Sequence, residues 1–206
     1  NYLHREELSD ASAVGGYVTG NEDRGIRNWS YDANPLTYGD VGYDITGAGV
    51  HADGEIWAGT LWKYRQALVE EFGQARGASI AEHTVTDAMP RSPVNPSMLD
   101  MRDAIELAID DRFHDSADYE RIWDVFWTEF AQRGMGSQAS TDGGGDLDPV
   151  PAFDHKDRDR NGTLAGRVVN ASTGKVVEDA KVIIGVHEAG VTPLRRTSDV
   201  GRFAAP

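Results

Sequence analysis

Residues 47–72 read G-A-G-V-H-A-D-G-E-I-W-A-G-T-L-W-K-Y-R-Q-A-L-V-E-E-F. Val50, Gly54, Trp57, Leu61, Tyr64, Leu68 and Phe72 recur at steps of three and four, which brings them onto one face of an α-helix. The spacing predicts a helix over about 49–72 that stops at Gly73. His51 stands at its mouth, just past Gly47 and Gly49, where the backbone can pass close to a ligand.

Further helices follow on the C-terminal side. One is predicted over about 79–89, ending before Pro90. Ser97 can cap another whose buried face holds Met98, Met101, Ile105 and Ile109. A fourth starts at Asp118, and Tyr119, Ile122, Trp123, Phe126, Trp127 and Phe130 make it core-facing until G-M-G at 134–136 ends it. The tryptophans 57, 62, 123 and 127 are helix-spaced and read as packing. Toward the N-terminus, 16–46 shows no sustained period, as in a long structured loop that carries function.

After the helices the pattern changes. S-Q-A-S-T-D-G-G-G-D-L-D-P, 137–149, is nearly free of apolar residues and reads as a flexible linker. T-L-A-G-R-V-V-N, K-V-V and A-K-V-I-I-G-V are then β-branched runs separated by turn residues. The expected architecture is a mainly α-helical domain over 1–136, an acidic Gly-rich linker over 137–160, and the N-terminal part of a small β-sandwich over 161–206.

Composition bounds the chemistry. The 206 residues include 39% hydrophobic side chains, enough for a core, and no run of 18 apolar residues that could span a membrane. With no cysteine, disulfides, thiolate metal sites and cysteine nucleophiles are excluded. Net charge is −14, and 24 acidic against 11 basic groups fall within 1–140, so the helical part would repel nucleic acid.

Two kinds of local motif remain. Asp157, Asp159, Asn161 and Gly162 reproduce the opening of a calcium loop, in which alternate oxygens converge on the ion. Val168 stands where the closing bidentate Glu belongs, and Asp154 is a substitute ligand from upstream. Asn28, Asn161 and Asn170 head N-x-S/T acceptor sequons for glycans.

The 47–62 stretch, together with G-I-R-N-W-S-Y at 25–31, N-P-S-M-L-D-M-R-D-A-I at 95–105 and I-W-D-V-F-W-T-E-F-A-Q-R-G-M-G at 122–136, resembles the C-terminal helical half of the fungalysin family of zinc metallopeptidases, relatives of thermolysin. The tail is similar to a carboxypeptidase regulatory-like or transthyretin-like module. The residues that carry this are Gly166, Val168, Asn170, Thr173 and Gly174, then Thr197, Ser198, Asp199, Gly201 and Phe203. The family binds zinc through H-E-x-x-H plus a Glu on the next helix, and no H-E-x-x-H occurs in this chain. The resemblance puts those ligands upstream of Asn1.

What the resemblance implies is a secreted zinc metalloendopeptidase acting on polypeptides, with zinc polarising the scissile carbonyl. His51 falls at the histidine that donates to the oxyanion, and Arg27 at the arginine that binds a substrate backbone carbonyl beyond the scissile bond. Tyr38 and Tyr43 lie in the same loop and are assigned to the cleft by position alone. The family's tautomer-fixing Asp is replaced by Thr46, with Asp44 two residues back. The expected partner is the preceding half of the same protease or a cleaved fragment of it. Alone, the chain should be inactive. The rival expectation is a non-catalytic cell-surface or filament scaffold displaying β-modules.

Overall fold

Alternating polar and apolar residues at helical spacing build four long helices. A computed structural model describes residues 13–45, 47–184 and 195–205. After a one-turn helix α1 (Gly16–Thr19), the long helices are α2 (Asp53–Phe72), α3 (Gln74–Ala88), α4 (Met98–Phe113) and α5 (Tyr119–Gln132). They close a ring in which α2 packs on α3 and α5, α3 on α4, and α4 on α5.

The core is aromatic on one side and aliphatic on the other. Tyr64, Phe126 and Phe130 meet edge-on or tilted, with ring centroids 4.5–6.1 Å apart. Leu68, Ile80, Val85, Ile105, Ile109 and Ile122 fill the rest. The hydroxyl of the fully buried Tyr64 is 3.1 Å from Thr84 Oγ1, which gives this buried polar atom a hydrogen-bond partner.

Gly73, at φ +81°, is the only residue between α2 and α3. It stops α2 as expected, but the chain re-enters a helix at once, so α3 begins earlier than the predicted 79. At α4 the expected Ser97 cap is present as a reciprocal box. Ser97 Oγ accepts from Asp100 N at 3.0 Å, and Asp100 Oδ2 accepts from Ser97 N at 2.8 Å.

Helix α2 starts at Asp53, four residues later than predicted, because the Asp53 carboxylate takes the amides of Gly42 (2.7 Å) and Gly49 (2.9 Å) and folds the preceding residues into a turn. Val50, placed on the core face by its spacing, is consequently outside the helix and 87% exposed.

The stretch 137–155 is not a free linker. Gly136 N donates to Ala152 O and Ala152 N to Gly134 O, while Ser140 and Val150 exchange both backbone bonds. Arg102, buried over the Trp127 ring, donates to the carbonyls of Met135 (3.1 Å) and Gly136 (2.7 Å). Asp154 is buried and accepts from Ser137 Oγ and Gln138 N. Asp146 gathers Thr141 Oγ1, Asp142 N and Asp148 N. Carboxylates accepting hydrogen bonds thus order this stretch alongside its buried Pro149, Pro151 and Ala152.

Beyond it, β1 (Leu164–Arg167) pairs antiparallel with β4 (Arg202–Ala205), and β2 (Lys181–Val182) with β3 (Arg195–Arg196). The expected partial sandwich is thus, among the described residues, two small two-stranded sheets. The last two residues of the A-K-V-I-I-G-V run lie outside the described residues.

Candidate active site

Glu55, in the first turn of α2, is the centre of the arrangement. Its residue surface is only 3% exposed, and a carboxylate taken out of water must be satisfied by donors. The donors are backbone amides of the G-I-R-N-W segment. Asn28 N reaches Oε1 at 3.0 Å and Oε2 at 3.1 Å, and Trp29 N reaches Oε2 at 3.3 Å. Burial pushes the Glu55 carboxyl above the usual carboxylate range, opposed by those two amides and by the charge of Arg27.

Neighbouring groups brace the same segment. Asn28 Nδ2 donates to Tyr43 Oη at 2.7 Å, and the Trp29 and Tyr43 rings lie 5.5 Å apart. Burial moves the Tyr43 phenol up to about 12, so it is protonated at neutral pH. One turn further along, Asn34 Nδ2 donates to Glu55 O at 2.8 Å, while Arg133 Nη1 donates to Asn34 O at 2.8 Å. Gly59 leaves room here: a Cβ would stand 2.8 Å from Arg133 Nη2 and press on the guanidinium that bonds Asn34.

His51 and Arg27 present differently from this braced interior. His51 is exposed, in the turn just before α2, and among the described residues its imidazole has no hydrogen-bond partner. Glu55, four residues on, is turned inward to Asn28 and Trp29, so the two do not form a chelating pair. Thr46 lies outside the described residues; Asp44 uses its backbone carbonyl to accept from Gly47 N. Arg27 is half-buried, with its charge close enough to favour the ionised form of Glu55.

A cleft of about 460 Å³ opens between the N-termini of α2 and α4 and the 143–149 loop. Val50, Trp57, Met98, Met101 and Leu147 supply its apolar surface, and Tyr38, 3% exposed, lines it from the inside. Tyr43 is not among its lining residues and serves as the acceptor for Asn28.

The candidate calcium ligands are not brought together. Asp154 is spent on Ser137 and Gln138, Asp157 Oδ1 accepts from Asp159 N at 3.1 Å, and Asn161 bonds to both the N and O of His155. Among the described residues no three His, Asp or Glu side chains are placed to hold a metal ion. The described residues therefore do not fit a zinc site of their own either. Of the sequon asparagines, Asn28 and Asn161 commit the Nδ2 that a glycan would take, whereas exposed Asn170 uses only Oδ1, to accept from Ser172 and Thr173.

Residues 2–139 match the fungalysin metallopeptidase (M36) family. The chain belongs to that family. This fungalysin-family chain is 31% identical over 141 residues to the extracellular metalloproteinase mep of Aspergillus terreus, covering 60% of the chain and 21% of that protein. It is 31% identical over 159 residues to an extracellular metalloproteinase of Pyrenophora tritici-repentis, covering 68% and 23%. The extracellular metalloproteinase MEP of Fusarium vanettenii is 31% identical over 153 residues, covering 66% and 23%. The chain spans about a fifth of the length of these relatives. No described helix of the fungalysin-family chain is long and apolar enough to cross a membrane.

The resemblance singled out His51 and Arg27, but nothing in the sequence pointed to the groups that hold the Arg27 segment. Glu55 was legible only as a polar residue on the helix, because its partners lie 26 and 27 residues upstream in a segment without period. Asn34 and Arg133 are 99 residues apart and carry no local signal.

Proposed function

We propose that this chain is the helical, thermolysin-like lobe of a secreted zinc metalloendopeptidase that cleaves polypeptides. The observation that carries the reading is the exposed imidazole of His51 in the turn leading into a helix whose first turn grips the Arg27 segment through Glu55; the cleft at the same end of that helix is lined by Val50 and Asp53, not by His51 or Arg27 themselves. Secretion is supported by the relatives, which are named extracellular.

In this reading zinc, held by residues outside the described ones, supplies Lewis-acid activation of the scissile carbonyl. This chain's own residues do the rest. His51 donates a hydrogen bond to the oxygen on which negative charge builds, an interaction made chiefly in the transition state. Arg27, with a rigid fork of donors, holds a substrate backbone carbonyl beyond the scissile bond. The apolar cleft takes a substrate side chain, and Tyr43 supports the Arg27 segment without touching substrate. The zinc-bearing half precedes this chain in the same polypeptide or stays associated after cleavage, and without it the chain is inactive.

The tail is a carboxypeptidase regulatory-like module over 161–206 that acts as a spacer or binding domain. Support comes from the N-A-S-T-G turn, where Gly174 N donates to Asn170 O and Val169 bridges Val176, and from the S-D-V-G turn leading into β4. Asn170 is its glycan acceptor.

The test is kinetic. In the full-length protein, loss of kcat on replacing His51, with KM retained, supports the reading; an unchanged kcat overturns it.

A further inference from the structure

We infer that Glu55 is a positioning residue, which fixes Arg27 relative to His51 by holding the backbone amides of Asn28 and Trp29 on the first turn of α2. This rests on the reading of Arg27 and His51 given above.

Glu55 is a buried acid with an unusual choice of partners. A helical glutamate one turn from an N-terminus ordinarily faces solvent or pairs with a nearby cation. This one is 3% exposed, and its two oxygens take consecutive main-chain amides immediately after Arg27, at 3.0–3.3 Å. The side chain of Asn28 closes in on Oε1 as well, at 3.5 Å. Amides bonded to an ionised acceptor are held more firmly than by a neutral one.

The consequence is geometric. The G-I-R-N-W segment belongs to no long helix or strand, and local bonds such as Ile26 N to Val14 O (2.8 Å) tie it only to other loop residues. Glu55 ties its main chain by hydrogen bonds to a rigid element, while the Trp29 ring packs against the core. Because Glu55 lies four residues after His51, the first turn of α2, entered directly from the turn that carries the imidazole, also sets the main chain carrying the guanidinium. Asn34, bonded to the Glu55 carbonyl and held in turn by Arg133, braces that turn from the opposite side. A shift of the segment by one ångström would misplace Arg27 on a substrate carbonyl.

The experiment uses the full-length protease with a peptide substrate extending at least two residues beyond the scissile bond. Four variants are compared with wild type: Arg27→Ala, Glu55→Gln, Glu55→Ala, and Arg27→Ala combined with Glu55→Gln. Arg27→Ala is expected to raise KM about tenfold or more with a smaller change in kcat, the signature of a binding contact made in ground and transition states alike. Glu55→Gln keeps one acceptor oxygen and should raise KM about three- to tenfold, while Glu55→Ala should approach the Arg27→Ala value.

The deciding result is the double variant. Adding Glu55→Gln to Arg27→Ala should cost nothing further, because the group being positioned is already gone. Additive losses, or a fall in kcat with KM unchanged, would assign Glu55 a structural role only and overturn the inference. Should Glu55→Ala not fold, Glu55→Gln carries the comparison alone. An Arg27→Ala variant with wild-type kinetics would overturn the role of Arg27 and this inference with it, a result distinct from failure of Glu55 alone.

Discussion

Asn161 and His155 close on each other: Asn161 Oδ1 accepts from His155 N at 2.6 Å while Asn161 Nδ2 donates to His155 O at 2.8 Å. His155 Nδ1 accepts from Asp157 N at 3.0 Å, which puts its proton on Nε2, 3.4 Å from Asp124. Flanking ion pairs, Lys156 with Glu106 and Arg160 with Asp124, tie the same segment to α4 and α5. The sequence that spelled the opening of a calcium loop is thus organised by an amide clasp.

That clasp makes a prediction about calcium. Chelator should leave the thermal midpoint of the chain unchanged, whereas Asn161→Ala should destabilise it by about 1–3 kcal/mol by leaving the N–H and C=O of buried His155 unpaired. Calorimetry with and without EDTA checks both halves. A midpoint that falls on chelation would restore the calcium reading.

Helix positions were legible in the sequence because each long helix repeats its apolar residues over several turns. Trp62, Leu68, Ile105, Ile109, Phe126 and Phe130 are all buried, and Ser97 and Gly73 mark helix ends. The pinned loop was not legible. Its order comes from Asp146 and Asp154 accepting hydrogen bonds and from Arg102 bonding carbonyls 33 and 34 residues further along the chain, none of which leaves a period. For the same reason the Glu55 grip on Asn28 and Trp29, which spans 26 and 27 residues, leaves no trace near His51 in the sequence.

The α4 cap should show itself in acid. The Asp100 carboxyl sits below its usual range because Ser97 Oγ and then Ser97 N donate to it. A depressed acid contributes stability that is full above its unfolded value and is lost as pH falls through the folded one. Ser97→Ala should therefore cost about 1 kcal/mol at pH 7 and progressively less below about pH 4, where protonated Asp100 no longer rewards the box. Equal losses at pH 7 and pH 3 would count against it.

Glu129 works in the opposite direction. Burial raises its carboxyl to about 7, with Lys63 and Arg133 only partly offsetting the effect and Glu70 adding to it. The folded chain then holds a proton that the unfolded chain has already released, so stability is full below the unfolded value near 4.3 and falls as pH rises toward 7. Glu129→Gln should remove that dependence and gain about 1–3 kcal/mol at pH 8 relative to wild type, with little difference at pH 4. Denaturant titrations of both proteins at the two pH values measure it, and a variant less stable than wild type at pH 8 would reject it.

The sharpest kinetic expectation belongs to His51. Its exposure and the absence of a hydrogen-bond partner among the described residues mean that removing it leaves no buried group unpaired, so His51→Ala should fold with an unchanged melting temperature. In the full-length protease, an imidazole that donates only as the oxyanion forms should cost about 100-fold or more in kcat when removed, with KM nearly constant. On the proposed reading Arg27→Ala should divide the other way, chiefly into KM, because the guanidinium would hold a substrate carbonyl before and during reaction. Measuring both variants on one peptide separates the two roles. A loss confined to KM for His51→Ala would make that histidine a binding contact and leave the oxyanion to donors elsewhere in the protein.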